Sequence, residues 1–452
     1  MPSSALDHAT DGVPADPAAA PSASATVDAD DAPRTWTPLQ RVAFRFVFVY
    51  LLLYNLSFPL QSFTFAYTDE TWYSKLWEPM VAWVGAHMLR LGTPIVVVPV
   101  ASADTRFDWV QVLCYLAVSA IAAAVWTAVD RRRAHYAQAH DFIRAWVRYN
   151  LAFSMAIYGA AKVIQTQFAE PMLADVIRPL GQFSSPSLLW AFMSASYAYN
   201  LFAGLGEVVG GVLLFWRRTT TLGAAILVGV LANVVVINFA YDVPVKLYST
   251  HLLLMTLFLL APQARRFANF FVLNRPVAPV RLGRFLDGRW RVARAVLKPL
   301  VIAFSLGLGF TRAAHDRQTL AEFKRIPLYG IYDVERFARN GRTVPPPLVD
   351  RRDWGRVVFS FASSMVVKTV TDSTFGYAME IDTAAGRMEL YKRREPAQRF
   401  ALRYARPAPG VVRMTGVIAG DTLDVRLKRV DETKLMPWRK PFRWVVDPAA
   451  PR

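Results

Sequence analysis

Lys162, Glu207 and His251 are ionisable side chains set inside stretches apolar enough to cross a bilayer. Lys162 closes Tyr158-Gly-Ala-Ala-Lys162, and Glu207 stands in Gly204-Leu-Gly-Glu207-Val-Val-Gly-Gly211. His251 follows the turn Tyr241-Asp242-Val-Pro-Val-Lys246. A charge in hydrocarbon is costly, so such groups pair, line a wet cavity, or handle ions and protons. The chemistry within their reach is acid–base. A lysine–carboxylate pair can hold a proton, and imidazole titrates near neutrality. These three are the candidate catalytic residues. Tyr158, Tyr248, Asp242 and Lys246 are the candidate cofactor-binding residues, and no metal set is evident.

Each of these has a plain structural account as well. Lys162 can snorkel to the outer headgroups or pair with Glu207 beside Tyr158 and Asn200; Glu207, about ten residues before Arg217-Arg218, cannot easily reach water. The glycines Gly204, Gly206, Gly210 and Gly211 permit close helix packing. Asp242 can cap the helix that starts near Pro244 while offsetting Lys246. His251, expected on the bundle interior with Tyr248, can be a satisfied hydrogen-bonding residue or a proton-transfer group.

The elements that must position these residues are membrane helices. The chain is 54% hydrophobic, and uncharged runs cover Phe46–Thr68, Trp109–Val129, Thr219–Tyr241 and Leu247–Ala264. Spans near Tyr149–Ala169 and Leu188–Trp216 qualify with one charge each, and Val292–Thr311 if Arg294 and Lys298 snorkel. That makes a mainly α bundle of about seven transmembrane helices over residues 37–311. The formal net charge of +18 crowds the ends of alternate spans, at Arg41, Arg131-Arg132-Arg133, Arg217-Arg218 and Arg265-Arg266. This is the positive-inside pattern of a bacterial inner-membrane protein with a cytoplasmic N-terminus, and it suits anionic lipid headgroups, not nucleic acid. Residues 1–36 read as a disordered cytoplasmic tail. Residues 64–107 read as an outer interfacial segment with a helix at Leu76–Leu91, and 263–291 as a basic cytoplasmic linker.

From about residue 325 the pattern changes to period-two alternation. Leu423, Val425 and Leu427 alternate with Thr422, Asp424, Arg426 and Lys428, and turn signals stand at Asn340-Gly341, Asp382 to Gly386, Pro407 to Gly410 and Gly420-Asp421. Eight runs (330–337, 356–361, 365–370, 375–382, 387–392, 399–405, 411–418 and 421–429) predict an all-β, lipocalin-like eight-stranded barrel over 325–452, placed in the periplasm by the span count. Such a barrel either fills with side chains or holds one small ligand.

Several chemistries are excluded. One cysteine, Cys114, permits no intrachain disulfide or CxxC motif. Of six histidines only His251 lies well inside a span, so no bis-histidine haem or three-histidine copper centre fits within the bilayer. No P-loop, HExxH, GxSxG or GxGxxG is present.

The G-x-x-K end at Gly159 to Lys162, the E-x-x-G-G of Glu207, Gly210 and Gly211, and the hairpin Arg217-Arg218-Thr219 resemble the DoxX family of membrane proteins over about 142–265. The whole is similar to a longer subgroup with an appended β domain. The resemblance implies a quinone-linked accessory subunit of a redox or stress-response membrane complex, with other membrane or periplasmic redox subunits as partners. It carries no defined catalytic set. An architectural likeness to vitamin K-dependent carboxylase relatives would give Lys162 the task of a base beside a quinol. The rival expectation is a non-catalytic scaffold or a lipid/small-ligand binder acting through the outer β domain.

Overall fold

The computed structural model describes residues 35–58, 72–95, 104–277, 290–322, 326–343, 353–360, 363–435 and 444. Most of the expected tail, residues 59–63 of the run Phe46–Thr68, parts of the expected outer segment (64–71 and 96–103), residues 278–289 of the linker and most of 436–452 lie outside the described residues.

Helix α1 (Pro38–Tyr54) starts at a capping box in which Thr37 and Gln40 exchange side chain-to-backbone bonds. It begins eight residues before the expected uncharged run because Arg45, 2% exposed, is satisfied inside the bundle. The Arg45 guanidinium donates to Thr127 Oγ1 at 2.7 Å, to the Asp130 carbonyl at 2.6 Å and to the Tyr136 hydroxyl. Helix α2 (Trp72–Trp83), continued by a wider turn to Met88, overlaps the helix expected at Leu76–Leu91 but starts four residues earlier. It is not a free surface helix: Tyr73, Trp77 and Val81 pack on Phe107, Val110 and Tyr115 of α3 (Arg106–Val129).

Helix α4 (Ala137–Val163) also starts earlier than expected. The single span expected at Leu188–Trp216 is two helices, α6 (Ser185–Ser194) and α7 (Tyr197–Leu214), preceded by a short turn, α5 (Leu173–Val176). The break is stabilised locally: Ser196 Oγ accepts from Tyr199 N at 3.3 Å, and Asn200 Nδ2 donates to the Met193 carbonyl at 2.9 Å. Then follow α8 (Thr220–Ala240), α9 (Lys246–Leu260), prolonged by tighter and wider turns to Val272, and α10 (Trp290–Glu322).

Five of these helices are long and apolar enough to cross a membrane: α3, α7, α8, the prolonged α9 and the Ala295–Glu322 part of α10. This is a membrane protein. The other two expected spans do not qualify, α1 having 17 residues and α4 carrying Asp141, Arg144, Arg148 and Lys162. One core joins them all, with Leu51 of α1, Leu151 and Met155 of α4, Leu214 of α7, Leu227 of α8 and Met255 of α9 packed together.

The C-terminal domain is the expected closed eight-stranded antiparallel barrel. Its strands are β1 (Gly330–Arg339), β3 (Trp354–Ser360), β4 (Ser364–Thr369), β5 (Thr374–Asp382), β6 (Arg387–Lys392), β7 (Glu395–Ala408), β8 (Val411–Ile418) and β9 (Asp421–Arg429). β1 pairs with both β3 and β9, which closes the ring, and the two-residue β2 (Arg342–Thr343) extends β1 across the Asn340-Gly341 turn. Asn340 and Gly341 both have positive φ, at 51° and 74°, as a two-residue hairpin turn requires. Leu423, Val425 and Leu427 point inward with Val357, Phe359, Met365, Met388 and Met414, so the interior is filled by side chains.

One outer barrel face is covered. Ile331 and Val358, both 0% exposed, pack on Leu173 and Ile177 from the connection between α4 and α6. Lys368 Nζ donates to the Ile177 carbonyl at 3.1 Å, and Gln182 Nε2 to the Asp372 carbonyl at 3.0 Å. The barrel therefore sits on the end of the bundle where α4 and α10 finish.

Candidate functional site

The expected pair forms because two helices come close enough for a short reach. A Cβ on Gly204 would lie 2.9 Å from the Gly159 carbonyl oxygen and 2.9 Å from Lys162 Cβ. Only glycine allows that approach of α4 to α7. Lys162 Nζ then donates to both carboxylate oxygens of Glu207, at 2.7 and 2.8 Å, with side-chain exposures of 8% and 3%. Pairing, not snorkelling, is the outcome for Lys162.

Tyr158 and Tyr248 join this pair. Lys162 Nζ lies 5.9 Å from the centre of the Tyr158 ring, and the Tyr158 and Tyr248 rings are 5.9 Å apart. A polar seam continues inward. The Tyr248 hydroxyl donates to Ser154 Oγ at 3.2 Å, Ser154 Oγ to Asn150 Oδ1 at 3.4 Å, and Asn150 Nδ2 to Asn55 Oδ1. Asn55 Nδ2 ends the seam on the Leu51 carbonyl.

Lys162, Glu207, Tyr158 and Tyr248 line one cavity of about 1820 Å³ between α4, α7, α8 and α9. Its rim includes Arg317 and Leu320 of α10 and Tyr329 and Ser360 of the barrel domain. Asn238 of α8 also lines it; the residue is 6% exposed and its Nδ2 has no hydrogen-bond partner among the described residues. A buried amide donor left unsatisfied is costly, so it marks a place for an acceptor. Asn238 escaped the sequence reading because it sits in an uncharged run. The two amides of that apolar helix, Asn233 and Asn238, were the available signal.

The remaining expected residues lie elsewhere. His251 does not face the cavity. Its ring stacks on Tyr54 at 4.0 Å between centroids and 6° between planes, toward α1. His251 Nδ1 lies 2.7 Å from the Leu247 carbonyl, which only accepts, so Nδ1 carries the proton; Nε2 accepts from the Tyr50 hydroxyl at 2.6 Å. Asn200 is wholly buried at the α6–α7 break, where its Nδ2 donates to the Met193 carbonyl.

Asp242 and Lys246 bind each other at 2.7 Å at the turn between α8 and α9, but Asp242 does not cap α9. Asp104 does, accepting from the Lys246 and Leu247 backbone N–H groups at 2.7 and 2.8 Å. That long-range cap has no local sequence signal.

No protein-family model matches the chain, and no solved structure matches it. The uncharacterized protein YwoB of Bacillus subtilis (strain 168) is 38% identical over 129 residues, which make up 28% of this chain and 82% of the relative. By that identity and coverage, the chain belongs to the family of YwoB.

Proposed function

We propose that the protein is a DoxX-like accessory subunit of a quinone-linked redox or stress-response complex in the bacterial inner membrane, and that the cavity between α4, α7, α8 and α9 is its quinone site. The observation that carries this reading is the unsatisfied Asn238 Nδ2 on a largely apolar wall that also holds Lys162, Glu207, Tyr158 and Tyr248. Ligand sites combine an apolar lining with a few converging polar groups. A quinone has that complementary form, a long apolar tail with a head whose oxygens only accept hydrogen bonds. Asn238 Nδ2 and the Lys162 ammonium are donors of the kind such a head needs.

A quinone bound there supplies two-electron, two-proton chemistry. The chain's own part is to orient the head and to hold protons. The Lys162–Glu207 pair keeps a proton between Nζ and two carboxylate oxygens, and the Tyr248–Ser154–Asn150 seam leads away from it. The N-terminus is assigned to the cytoplasm, the barrel to the periplasm, and partner redox subunits to either membrane or periplasm.

The test is extraction of the protein, purified in mild detergent, followed by quantification of quinone. Near-equimolar quinone in the wild type, lost in Asn238→Leu while the helix content is kept, supports the site. A quinone-free wild type that also fails to bind added ubiquinone or menaquinone ends this reading. The rival, ligand recognition by the β domain, must then use the barrel's outer surface, since its interior is filled.

A further inference from the structure

We propose that Arg144, Arg148 and Arg217, at the end of the bundle opposite the barrel, form a binding site for a phosphate-type anion, the headgroup of an anionic membrane lipid. Arg144 and Arg148 lie one turn apart on α4, and Arg217 follows α7. Arg144 and Arg217 are both charged neighbours of Arg148. Around them the structure places His140, Tyr149 and one carboxylate, Asp141, whose Oδ2 is 3.5 Å from Arg217 Nη2. Three guanidinium groups and one carboxylate thus gather in a partly buried place.

The donors are not used up internally. Arg144 Nη2 donates to the Leu259 carbonyl at 3.1 Å, yet the Nε of both Arg144 and Arg148 is buried with no hydrogen-bond partner among the described residues. Like charges drawn together with buried, orphaned N–H groups are costly unless an anion joins them. Guanidinium forks match the oxygens of a phosphate in two-point contacts.

The setting selects the lipid form of that anion. Lys298 of α10 stands 5.3 Å from the centre of the Trp216 ring, directly before Arg217 in the chain. Trp216 is 41% exposed and Leu297, beside Lys298, is 61% exposed, so apolar surface flanks the cations. An acyl chain can lie on that surface while its phosphate reaches the arginines. This inference stands apart from the quinone reading, because the cavity holding Lys162 is formed by different residues.

Native mass spectrometry of the full chain purified in detergent, with phosphatidylglycerol added, reads the number of retained lipids. We expect one tightly held phosphatidylglycerol in excess of that seen with phosphatidylcholine. Arg144→Gln with Arg148→Gln should weaken it on the order of 30-fold, by the usual worth of two basic residues at an anionic surface. Arg265→Gln, an exposed site outside the cluster, should leave it unchanged. Equal retention of both lipids by the wild type, a comparison that needs no variant, overturns the proposal. So does unchanged retention by the double variant. Inorganic phosphate is the second arm. If it displaces the lipid and protects the protein from heat as well as phosphatidylglycerol does, the cluster is a free-phosphate site and the lipid assignment is wrong.

Discussion

The ion pair between Lys162 and Glu207 is where single residues decide most. Both side chains are taken almost wholly out of water, and each satisfies the other at 2.7 Å. Removing one partner strands a charge, so Lys162→Ala or Glu207→Ala should lower stability by about 3–5 kcal/mol. Lys162→Met combined with Glu207→Gln removes both charges and should fold with nearly wild-type stability, read by denaturant or heat titration in detergent. A double variant as unstable as the singles would mean that the pair is embedded in a charge network wider than the two residues. His251 behaves differently, because both ring nitrogens are already engaged. His251→Phe keeps the stack on Tyr54 but orphans the Tyr50 hydroxyl, a loss of about 1–3 kcal/mol. Since His251 is outside the cavity, this change should leave quinone content untouched. Acid–base reasoning from residue type alone had grouped His251 with Lys162 and Glu207; the facing direction of one helical turn separates them.

Among the elements, α9 shows how far a cap can come from. Asp104 binds the first two N–H groups of the helix from 142 and 143 residues away in the chain. Asp104→Ala should therefore cost about 0.5–2 kcal/mol, the usual worth of a cap, and fray the start of α9 in hydrogen exchange. Asp242→Asn should stay within about 1 kcal/mol of wild type, because its ion pair with Lys246 is exposed on the Asp242 side and asparagine tolerates the φ of 53° there. Reversal of that order would return the capping role to Asp242. The same element scale shows what was legible. The eight barrel strands could be read because side chains alternate between a filled interior and water, as at Leu423, Val425 and Leu427. Helix starts could not be read from uncharged runs, since Arg45 is buried among the Tyr136 hydroxyl, Thr127 and the Asp130 carbonyl. The α6–α7 break was invisible because Ser196 and Asn200, which stabilise it, are too short and neutral to interrupt an apolar stretch. Lys162 and Glu207 were legible as a pair because each is a lone charge within an apolar run, Tyr149–Ala169 and Leu188–Trp216. Asn238 was not, because an amide leaves no trace in a count of charges.

At the scale of the whole molecule, a bundle with Arg144, Arg148 and Arg217 clustered at one end carries a barrel on the other. The barrel itself should respond sharply to register. Val425 is 1% exposed among inward-facing side chains, so Val425→Asp should cost several kcal/mol, comparable to the stability of a small domain. Asp424→Ala loses only its surface contacts with Arg413, at 2.9 and 2.7 Å, and should cost less than about 1 kcal/mol. Arg413 holds the Asp424 carboxyl below its ordinary range, chiefly by hydrogen bonding. A carboxyl depressed in the folded state adds its small stability above the ordinary carboxylate range. That contribution drains away as the pH falls through the depressed value, and Asp424→Ala should flatten this acid limb of a melting-temperature profile. The orientation of the molecule gives the last expected outcome. The barrel is seated on the connection between α4 and α6 through Leu173, Ile177, Ile331 and Val358, and Arg317 near the end of α10 donates to the Ile164 carbonyl at the end of α4. The connection and the barrel must therefore share one side of the membrane. The opposite end carries Arg144, Arg217, Arg218 and Arg265, which the proposed orientation, drawn from positive-inside asymmetry, puts in the cytoplasm. A reporter active only in the periplasm should be active when fused after Arg452 and when inserted near residue 182, and silent when fused near residue 280. A silent fusion after Arg452 beside an active insertion at 182 would break the docking itself, whereas silence at both with activity near 280 would invert the whole protein in the membrane.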